Sequence, residues 1–286
     1  MRIVLAATDF SVRAAPAVRR AALLATKHSA AIVLCHVVDD DQIEGMQTVA
    51  ADEALRMLEA MQQGVPELAN AKSSLSVAKG APFEAILNAG DTAGADLIVI
   101  GSHRRSLLRD VFTGTTAERV IRRGSRPVLM VNKPPAAPYR RVLVAVDLSA
   151  ASAHALEVAR RLGLFAGAHV LVFHAFDAML SSLGTANISE DKIQQHLADA
   201  SSTAKRDVEA FLEDMALADV SYSIVVREGR PVTAIKNAVE ELGADLVVLG
   251  TRGRTGGIAK FVLGSVAEEA IRELEVDILA VPPTQG

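Results

Sequence analysis

Glycines cluster in the second half of the chain, directly after a strongly apolar run. Gly250 and Gly253 begin the cluster, the pair Gly256-Gly257 continues it, and Gly264 follows. Because glycine has no side chain, it lets backbone amides approach a phosphate group closely. The spacing therefore indicates a loop that could hold the phosphates of a ligand.

The residues after this cluster predict the start of a helix. Ser265 and Glu268 have the spacing of a capping box, and Thr115 and Glu118 repeat it in the first half. A helix N-terminus attracts anions, because its first amides are unpaired and the helix dipole is positive there. In the alternative interpretation, the capping box caps its helix and binds no anion. The glycines upstream make this alternative weaker.

An aspartate ends or follows the first apolar run of each half. Asp9 stands in this position in the first half and Asp147 in the second. A carboxylate there could accept a hydrogen bond from a ribose hydroxyl or a ring amine. An aspartate that caps the next helix is an equally good interpretation.

One histidine lies near the end of the second apolar run of each half, His36 in the first and His174 in the second. No carboxylate or nucleophile is spaced to form a catalytic triad with His36 or His174, so we interpret both as structural. The histidines also lack the spacing of metal ligands on one helix face. The sequence therefore predicts no catalytic residue and no metal site.

Arginines concentrate in the first half between residues 104 and 126. The planar guanidinium group suits phosphate, so the cluster could hold a polyphosphate or another anion. The alternative is a solvated helix face whose arginines pair with neighbouring acids, and such pairs usually contribute little. The cluster consists of Arg104, Arg105, Arg109, Arg119, Arg122, Arg123 and Arg126.

The elements that must position these residues occur twice. Residues 94–101 return as 243–250, and the stretch 114–118 returns as 264–268. Residues 3–11 match 142–149 with one residue gained or lost, and 34–37 match 172–175. Four matches in one order indicate a duplicated domain.

Short apolar runs rich in valine and isoleucine alternate with longer amphipathic stretches. Such runs are typical of strands buried on both faces, and the alternation is typical of a parallel sheet with helices on each side. The expected strands are 2–7, 31–37, 74–78, 96–100 and 127–131, then 141–146, 169–175, 221–226, 245–249 and 277–281. The predicted class is α/β, with two tandem five-stranded parallel-sheet domains and helices on both faces.

Three prolines separate the two copies. Pro134, Pro135 and Pro138 interrupt helical and ladder hydrogen bonding. We therefore expect an N-terminal domain at residues 1–132, a proline-rich linker at 133–138 and a C-terminal domain at 139–286.

Composition limits the partners and the compartment. The formal charge of the 286 residues is −4 with both signs mixed, which argues against nucleic acid or an anionic membrane as the main partner. A single cysteine, Cys35, excludes an internal disulfide. No apolar run approaches the roughly 20 residues that a bilayer requires. These features predict a soluble, cytoplasmic protein.

These residues resemble the universal stress protein family, and the duplication is similar to its tandem two-domain members. The family pattern is Gly, two residues, Gly, nine residues, Gly, then Ser or Thr, and it cradles the ribose and phosphates of ATP in members that bind nucleotide. The resemblance covers almost the whole chain twice. It implies a Rossmann-like domain with strand order 3-2-1-4-5 and ATP as the ligand, with or without Mg²⁺.

The resemblance also implies the residues that would contact the nucleotide. The family's acidic residue near the base and sugar corresponds to Asp9 and Asp147, and its adenine-contacting backbone position corresponds to Val37 and Ala175. The implied site residues are Asp147, Ala175, Gly250, Gly253, Gly264, Ser265 and Val266 in the C-terminal copy, with Asp9, Val37, Gly101, Gly114 and Thr115 in the N-terminal copy.

Neither copy matches the family pattern completely. Gly101, Gly114 and Thr115 keep the spacing, but Arg104 stands where the second glycine belongs, and its side chain would intrude on a phosphate. In the C-terminal copy all pattern residues are present, yet ten residues separate Gly253 from the next pattern glycine. We therefore expect the C-terminal copy to be the better nucleotide site and the N-terminal copy to be degenerate or used differently.

Two functions follow from this sequence. The first is a stress or signalling protein that binds an adenine nucleotide without efficient catalysis, since no Walker lysine, metal cage or placed general base is found. The second is a scaffold that binds protein partners and no nucleotide. An adenylyl-transferring enzyme is less favoured, because no phosphate-activating signature is present.

The fifth strand of each copy would be an exposed apolar edge if the copy stood alone. Such edges are usually paired or covered. We therefore expect the two copies to pair through residues 127–131 and 277–281 about a pseudo-twofold axis, and a homodimer is a further expectation.

Overall fold

The computed structural model describes residues 1–41, 44–102, 115–178, 189–215, 217–253 and 263–284. None of the helices in these ranges combines the length and the apolar character that a bilayer crossing requires. The strands are β1 (Ile3–Ala7), β2 (Ala31–Val38), β3 (Lys72–Lys79), β4 (Leu97–Gly101), β5 (Val128–Val131), β6 (Arg141–Ala145), β7 (His169–Phe176), β8 (Tyr222–Glu228), β9 (Leu246–Gly250) and β10 (Asp277–Val281). The helices are α1 (Ala15–Lys27), α2 (Glu44–Gly64), α3 (Pro82–Ala93), α4 (Thr116–Arg123), α5 (Ala150–Arg161), α6 (Glu190–Glu213), α7 (Pro231–Leu242) and α8 (Ser265–Glu273), with a short 3-10 helix at Pro66–Leu68.

All ten described strands form one sheet with the order β3-β2-β1-β4-β5-β10-β9-β6-β7-β8. Within each half the pairs are parallel. Counted from the start of each half, both orders read 3-2-1-4-5. The predicted α/β class and strand order are therefore confirmed, and the strand bounds agree with the sequence prediction to within about two residues.

The central strands are buried because helices cover both faces of the sheet. Val4 and Ala6 of β1 pack in one hydrophobic layer with α1, α2, α5 and α6, whereas Leu5 and Ala7 pack in the other with α3, α4, α7 and α8. Successive side chains of a strand point to opposite faces, so a strand covered on both sides needs apolar residues throughout. This requirement explains the continuous apolar runs in the sequence.

The two halves meet where β5 pairs with β10 in the antiparallel direction. Leu129 lies opposite Leu279, which occupies the same position in the other half. A local twofold axis therefore passes through this pair of leucines. Because the axis reverses the strand direction, the carboxyl ends of the two parallel sets point to opposite edges of the sheet.

A buried carboxylate fastens this junction. Asp277, the first residue of β10, accepts a hydrogen bond from the hydroxyl of Tyr139 at 2.6 Å and from the backbone amide of Asn132 at 2.9 Å. Nε of Arg20 on α1 lies 3.2 Å from the same carboxylate, and its guanidinium stacks on the Tyr139 ring at 4.0 Å. Asp277 is 2% exposed, so these contacts replace the water that the charge has lost.

The helices beside the junction add a pair of reciprocal ion contacts. Arg122 of α4 lies 3.5 Å from Glu268 of α8, and Arg272 of α8 lies 3.6 Å from Glu118 of α4. These residues occupy equivalent positions in the two copies, so the contacts repeat about the local axis. The side chains are partly exposed, and such pairs contribute little stability each.

We predict that Asp277→Ala lowers the free energy of unfolding by about 3–5 kcal/mol, because it leaves the Arg20 guanidinium buried without its partner. Urea unfolding monitored by circular dichroism measures the loss. Asp219→Ala is the matched control, since this carboxylate is exposed and pairs with Arg160 at the surface; we expect a loss below about 1 kcal/mol. Equal losses in the two variants would contradict the role given to Asp277.

Stability should also fall at alkaline pH because of Tyr139. Burial, with the negative charge of Asp277, raises the pKa of Tyr139 well above its ordinary value of 10.0. The unfolded chain therefore releases this proton near pH 10 while the folded chain retains it, so folding loses up to about 1.4 kcal/mol per pH unit above that value. Urea unfolding at several pH values above about 9 measures the slope. Tyr139→Phe should make the slope of stability against pH shallower. Tyr222→Phe, at an exposed position, should leave the slope unchanged.

Candidate functional site

Each half contains a pocket at the carboxyl ends of its strands. The N pocket, of about 370 Å³, lies beyond β1, β2 and β4, and its lining includes Asp9, Val37 and Gly101. The C pocket, of about 340 Å³, lies beyond β6, β7 and β9. Both sit where the strand order reverses, which is where open parallel sheets bind ligands. Since the two strand sets run in opposite directions, the pockets open at opposite edges of the sheet.

The loop after the first strand of each half forms a tight turn around an aspartate. Oδ1 of Asp9 accepts the backbone amide of Ser11 at 2.9 Å, and Oδ1 of Asp147 accepts that of Ser149 at 3.1 Å. The residue after each aspartate has a positive φ, 60° at Phe10 and 63° at Leu148. This region is unfavourable for a non-glycine residue, so the aspartate bonds help to hold a strained turn beside the pocket.

Hydrogen bonding lowers the pKa of Asp9. Burial acts to raise the pKa of this carboxyl, but hydrogen bonds from the side chain and backbone of Ser11 outweigh it, so the pKa lies below the ordinary 3.8. A carboxylate at neutral pH can accept hydrogen bonds but cannot donate one. The turn therefore uses one oxygen of the aspartate and presents a negative charge at the pocket.

Gly253 lies against the equivalent carboxylate in the C pocket. A β-carbon placed on Gly253 would come within 2.8 Å of Oδ2 of Asp147, which is closer than real contacts allow. Any other residue at this position must displace the carboxylate or the loop. The second glycine of the pattern therefore lets the loop lie against the Asp147 carboxylate as it stands.

The glycine that ends the fourth strand of each half allows a second close approach. A β-carbon on Gly101 would lie 2.7 Å from the carbonyl oxygen of Arg13, and one on Gly250 would lie 3.2 Å from that of Ala151. These contacts bring the loop after the first strand against the end of the fourth. The loop after the first strand and the end of the fourth strand thereby form part of the rim of one pocket.

The helix whose first residues line each pocket, α4 in the first half and α8 in the second, is capped differently in the two halves. Oγ1 of Thr115 accepts the backbone amide of Glu118 at 3.2 Å, as the capping box predicts. The predicted cap at Ser265 is wrong, because α8 begins at Ser265 and Gly264 is its N-cap without a side-chain bond. The amide of Gly264 donates to the carbonyl of Thr251 at 2.8 Å. This bond holds the N-cap at Gly264, one residue before the predicted cap at Ser265.

Both strand-end histidines have structural partners. Nδ1 of His36 donates to the carbonyl of Thr8, and Nδ1 of His174 donates to that of Val146, each at 2.8 Å. The ring of His36 also stacks on Phe10 at 4.3 Å. Each histidine thus ties the second strand to the turn after the first, in agreement with the structural interpretation.

The described arginines of the basic cluster pack against neighbouring side chains. Arg119 and Arg123 lie over the ring of Phe83 at 3.8 and 5.3 Å, and Arg126 pairs with Asp91 at 2.8 Å. With Arg122 engaged at the junction, these contacts favour the solvated helix face over an anion site. Arg104, Arg105 and Arg109 lie outside the described residues.

The structure brings most of the expected residues together at the pockets. The C pocket is lined by Asp147, Ala175, Gly250, Gly253, Gly264, Ser265 and Val266. Thr115 lies beside the N pocket rather than in its lining, which begins at Thr116 on that helix. Gly114 lies outside the described residues, as does the Gly256-Gly257 pair.

Sequence reasoning missed two positions at which the pockets differ. Cys35 lines the N pocket where Phe173 lines the C pocket, and Arg13 lines the N pocket beside Gly101. Burial raises the pKa of the Cys35 thiol to about 11, so the thiol is neutral and unreactive at physiological pH. Comparing the two copies position by position would have revealed both differences.

A family model described as the universal stress protein family matches residues 1–132 and 138–282. Universal stress protein E of Escherichia coli is 29% identical over 211 residues, which cover 71% of this chain and 66% of that protein. The chain thus matches slightly less than two thirds of the length of this relative. A universal stress protein of Thermus aquaticus is 31% identical over 144 residues, covering 50% of this chain and 98% of that protein.

Solved structures resemble the whole chain in fold. A universal stress protein from Archaeoglobus fulgidus has a TM-score of 0.70 at 20% identity and covers 98% of both chains. A putative universal stress protein from Pseudomonas aeruginosa has a TM-score of 0.63 at 20% identity and covers 99% of this chain and 94% of its own. At this identity the likeness supports the fold.

The difference in capping yields a matched pair of variants. We expect Thr115→Ala to lower the free energy of unfolding by about 1 kcal/mol, because the amide of Glu118 loses its acceptor. Ser265→Ala should change it by less than about 0.5 kcal/mol, since Ser265 makes no capping bond. Urea unfolding of the two variants measures the difference, and a larger loss for Ser265→Ala would contradict this assignment.

Proposed function

Since the chain belongs to the universal stress protein family, we propose that it is a stress-response protein that binds ATP or a related adenine nucleotide. Binding occurs chiefly in the C pocket, with or without Mg²⁺, and without efficient catalysis. Occupancy of the pocket alters the shape of the protein or its choice of partner. The proposed domains are residues 1–132 and 139–286, joined by the linker at 133–138.

The fit of the glycine loop around Asp147 is the observation that carries this proposal. Gly250, Gly253 and Gly264 all line the C pocket, and Gly253 leaves no room for a side chain beside the carboxylate. The first residues of α8 line the same pocket, so its unpaired amides and positive dipole end face the cavity. A cavity of about 340 Å³ lies within the range of small-molecule sites.

Each part of a nucleotide has a suitable partner in this lining. The glycine backbone and the start of α8 suit the phosphates, because they offer amide donors without side chains. The Asp147 carboxylate suits a ribose hydroxyl or a ring amine, which are donors. The backbone of Ala175 and the neighbouring Phe173 ring offer the strand edge and the apolar surface that a flat base requires.

The lining supports binding rather than catalysis. Among the described residues that line the C pocket, Asp147 is the one carboxylate, and no lysine is present. Oδ1 of Asp147 is engaged by Ser149, and Nδ1 of His174 is engaged by Val146. A hydrolase would need a base placed to activate water. Any hydrolysis is therefore slow and incidental.

A scaffold without nucleotide is the second candidate. Exposed apolar side chains on α2 favour it, with Met46 59% exposed and Val49 66% exposed. Such side chains suit contact with another protein. The two functions are separated by denaturing the purified protein, filtering it and measuring adenine absorbance in the filtrate, which the scaffold alone does not predict.

The proposal includes a cytoplasmic location and a homodimer. A single cysteine fits a reducing compartment. The pairing of β5 with β10 already uses the apolar edge of each half inside one chain. A homodimer would therefore have to form through another surface, and the exposed face of α2 is a suitable one.

We predict that Gly253→Arg lowers the affinity of the C pocket for ATP at least about tenfold, equivalent to ~1.4 kcal/mol, because the side chain displaces Asp147. Isothermal titration of the full chain with ATP measures the change. Gly64→Arg is the control, since nothing lies within 4 Å of a β-carbon there. Unchanged ATP affinity in Gly253→Arg, in a protein that binds ATP, would refute the site assignment.

A further inference from the structure

A histidine of the first half packs directly against the second half. A β-carbon placed on Gly163, in the turn after α5, would come within 2.3 Å of Cε1 of His28 and within 2.8 Å of its Nδ1. The imidazole ring of His28, which follows the end of α1, therefore lies against the backbone of this turn. Lys27 contacts the same turn, since its Nζ donates to the carbonyl oxygen of Ala166 at 2.6 Å. The His28 contact thus joins residues 27 and 28 to the turn at residues 162–168.

The duplicated copy has no counterpart of this histidine. Residues 7–35 match residues 145–173 without an insertion, because β1 pairs with β2 in the same register in which β6 pairs with β7. In this match Ala166 occupies the position of His28. A methyl group cannot take up a proton, so a titratable ring is present on one side of the local axis and absent at the equivalent position on the other.

The inner nitrogen of the His28 ring makes protonation unfavourable. Nε2 is buried and has no hydrogen-bond partner among the residues that the structure describes. In the neutral ring one nitrogen carries no hydrogen, and Nε2 can be that nitrogen. In the protonated ring both nitrogens are donors. Protonation would therefore bury an N–H group without an acceptor, which costs free energy.

The charged groups around the His28 contact do not compensate this cost. The turn at residues 162–168 contains no titratable side chain. The helix that leads into it, α5, ends with Arg160 and Arg161, which are also basic. Asp219 is the carboxylate that pairs with Arg160, at 3.1 Å. No acidic side chain of the described residues acts on the His28 ring.

The same surroundings make the contact depend on pH. Burial lowers the pKa of His28 below its ordinary value of 6.5, and the positive charges of Lys27 and of the N-terminal amine add to this effect. When the contact opens, the ring returns to water and to its ordinary pKa. Between the two pKa values the opened state binds a proton that the closed state does not bind. The contact is therefore fully stable above about pH 6.5 and weakens as the pH falls below that value.

We propose that the His28 contact is a pH-sensitive switch between the two halves, which holds α1 against the turn after α5 at neutral pH and opens on acidification. The buried Nε2 without an acceptor and the close fit of the ring on Gly163 carry this proposal. Opening separates the end of α1 from residues 162–168. The paired strands β5 and β10 keep the halves joined while it does so.

Amide hydrogen exchange of the full chain between about pH 5 and pH 8 tests the switch, because this range spans the ordinary pKa of histidine. The amides of Ala30 and Leu164 are suitable reporters, since each donates to a carbonyl oxygen in the last turn of the adjoining helix. After correction for the intrinsic pH dependence of exchange, their protection should fall up to about tenfold per pH unit below about pH 6.5, because opening takes up one proton. At every pH they should be less protected than the amides of β5 and β10.

His28→Gln removes the titratable ring and should abolish the pH dependence of both reporter amides. His154→Gln is the matched control, because His154 is a partly exposed histidine of α5 outside the His28 contact; this variant should behave as the unmodified chain does. The same pH dependence in His28→Gln as in the unmodified chain would overturn the proposal. Reporter amides as well protected as those of β5 and β10 would also overturn it, since opening would then be unfolding of the whole chain.

Two glycines of the turn test the geometry. Gly163 and Gly167 have positive φ angles of 77° and 73°, so alanine strains the backbone similarly at both. A β-carbon on Gly163 meets the His28 ring, whereas nothing lies within 4 Å of one on Gly167. Reporter protection at pH 8 should be roughly tenfold lower in Gly163→Ala than in Gly167→Ala, and its pH dependence should be smaller, because the ring is already displaced into water. Equal protection and equal pH dependence in the two variants would reject the switch.

Discussion

The antiparallel contact between β5 and β10 is the constraint on which the rest of the structure depends. Each half alone would end in an apolar strand with unpaired backbone groups, and such an edge invites uncontrolled association. The duplicated chain resolves this by pairing the two edges with each other, Leu129 opposite Leu279. Both hydrophobic layers then run without interruption from one half to the other.

The same contact determines how the pockets relate. Because the pairing reverses strand direction, the N pocket and the C pocket open at opposite edges of the sheet. Between them lies the junction, where Asp277 binds Tyr139 and Arg20. The two pockets therefore lie on either side of one junction, which contains this polar cluster.

Local patterns were enough to predict the frame, whereas contacts between distant residues were not. The apolar runs located the central strands because a doubly covered strand must be apolar on both faces, whereas the outer strands β3 and β8 are partly polar and exposed. Asp277 gave no signal, since its partner Tyr139 lies 138 residues away in sequence. The cap at Gly264 was missed because the bond from its amide to Thr251 depends on the loop's path, not on residue type. Sequence spacing thus identified the C pocket residues but could not assign their contacts.

Duplication under this constraint explains where the two copies remain alike and where they differ. Positions that hold the turn after the first strand are kept in both, as Asp9 and Asp147 bind their serines in the same way. The pocket linings have diverged, since Cys35 lines the N pocket where Phe173 lines the C pocket. The two copies therefore keep the same turns while their pocket linings differ.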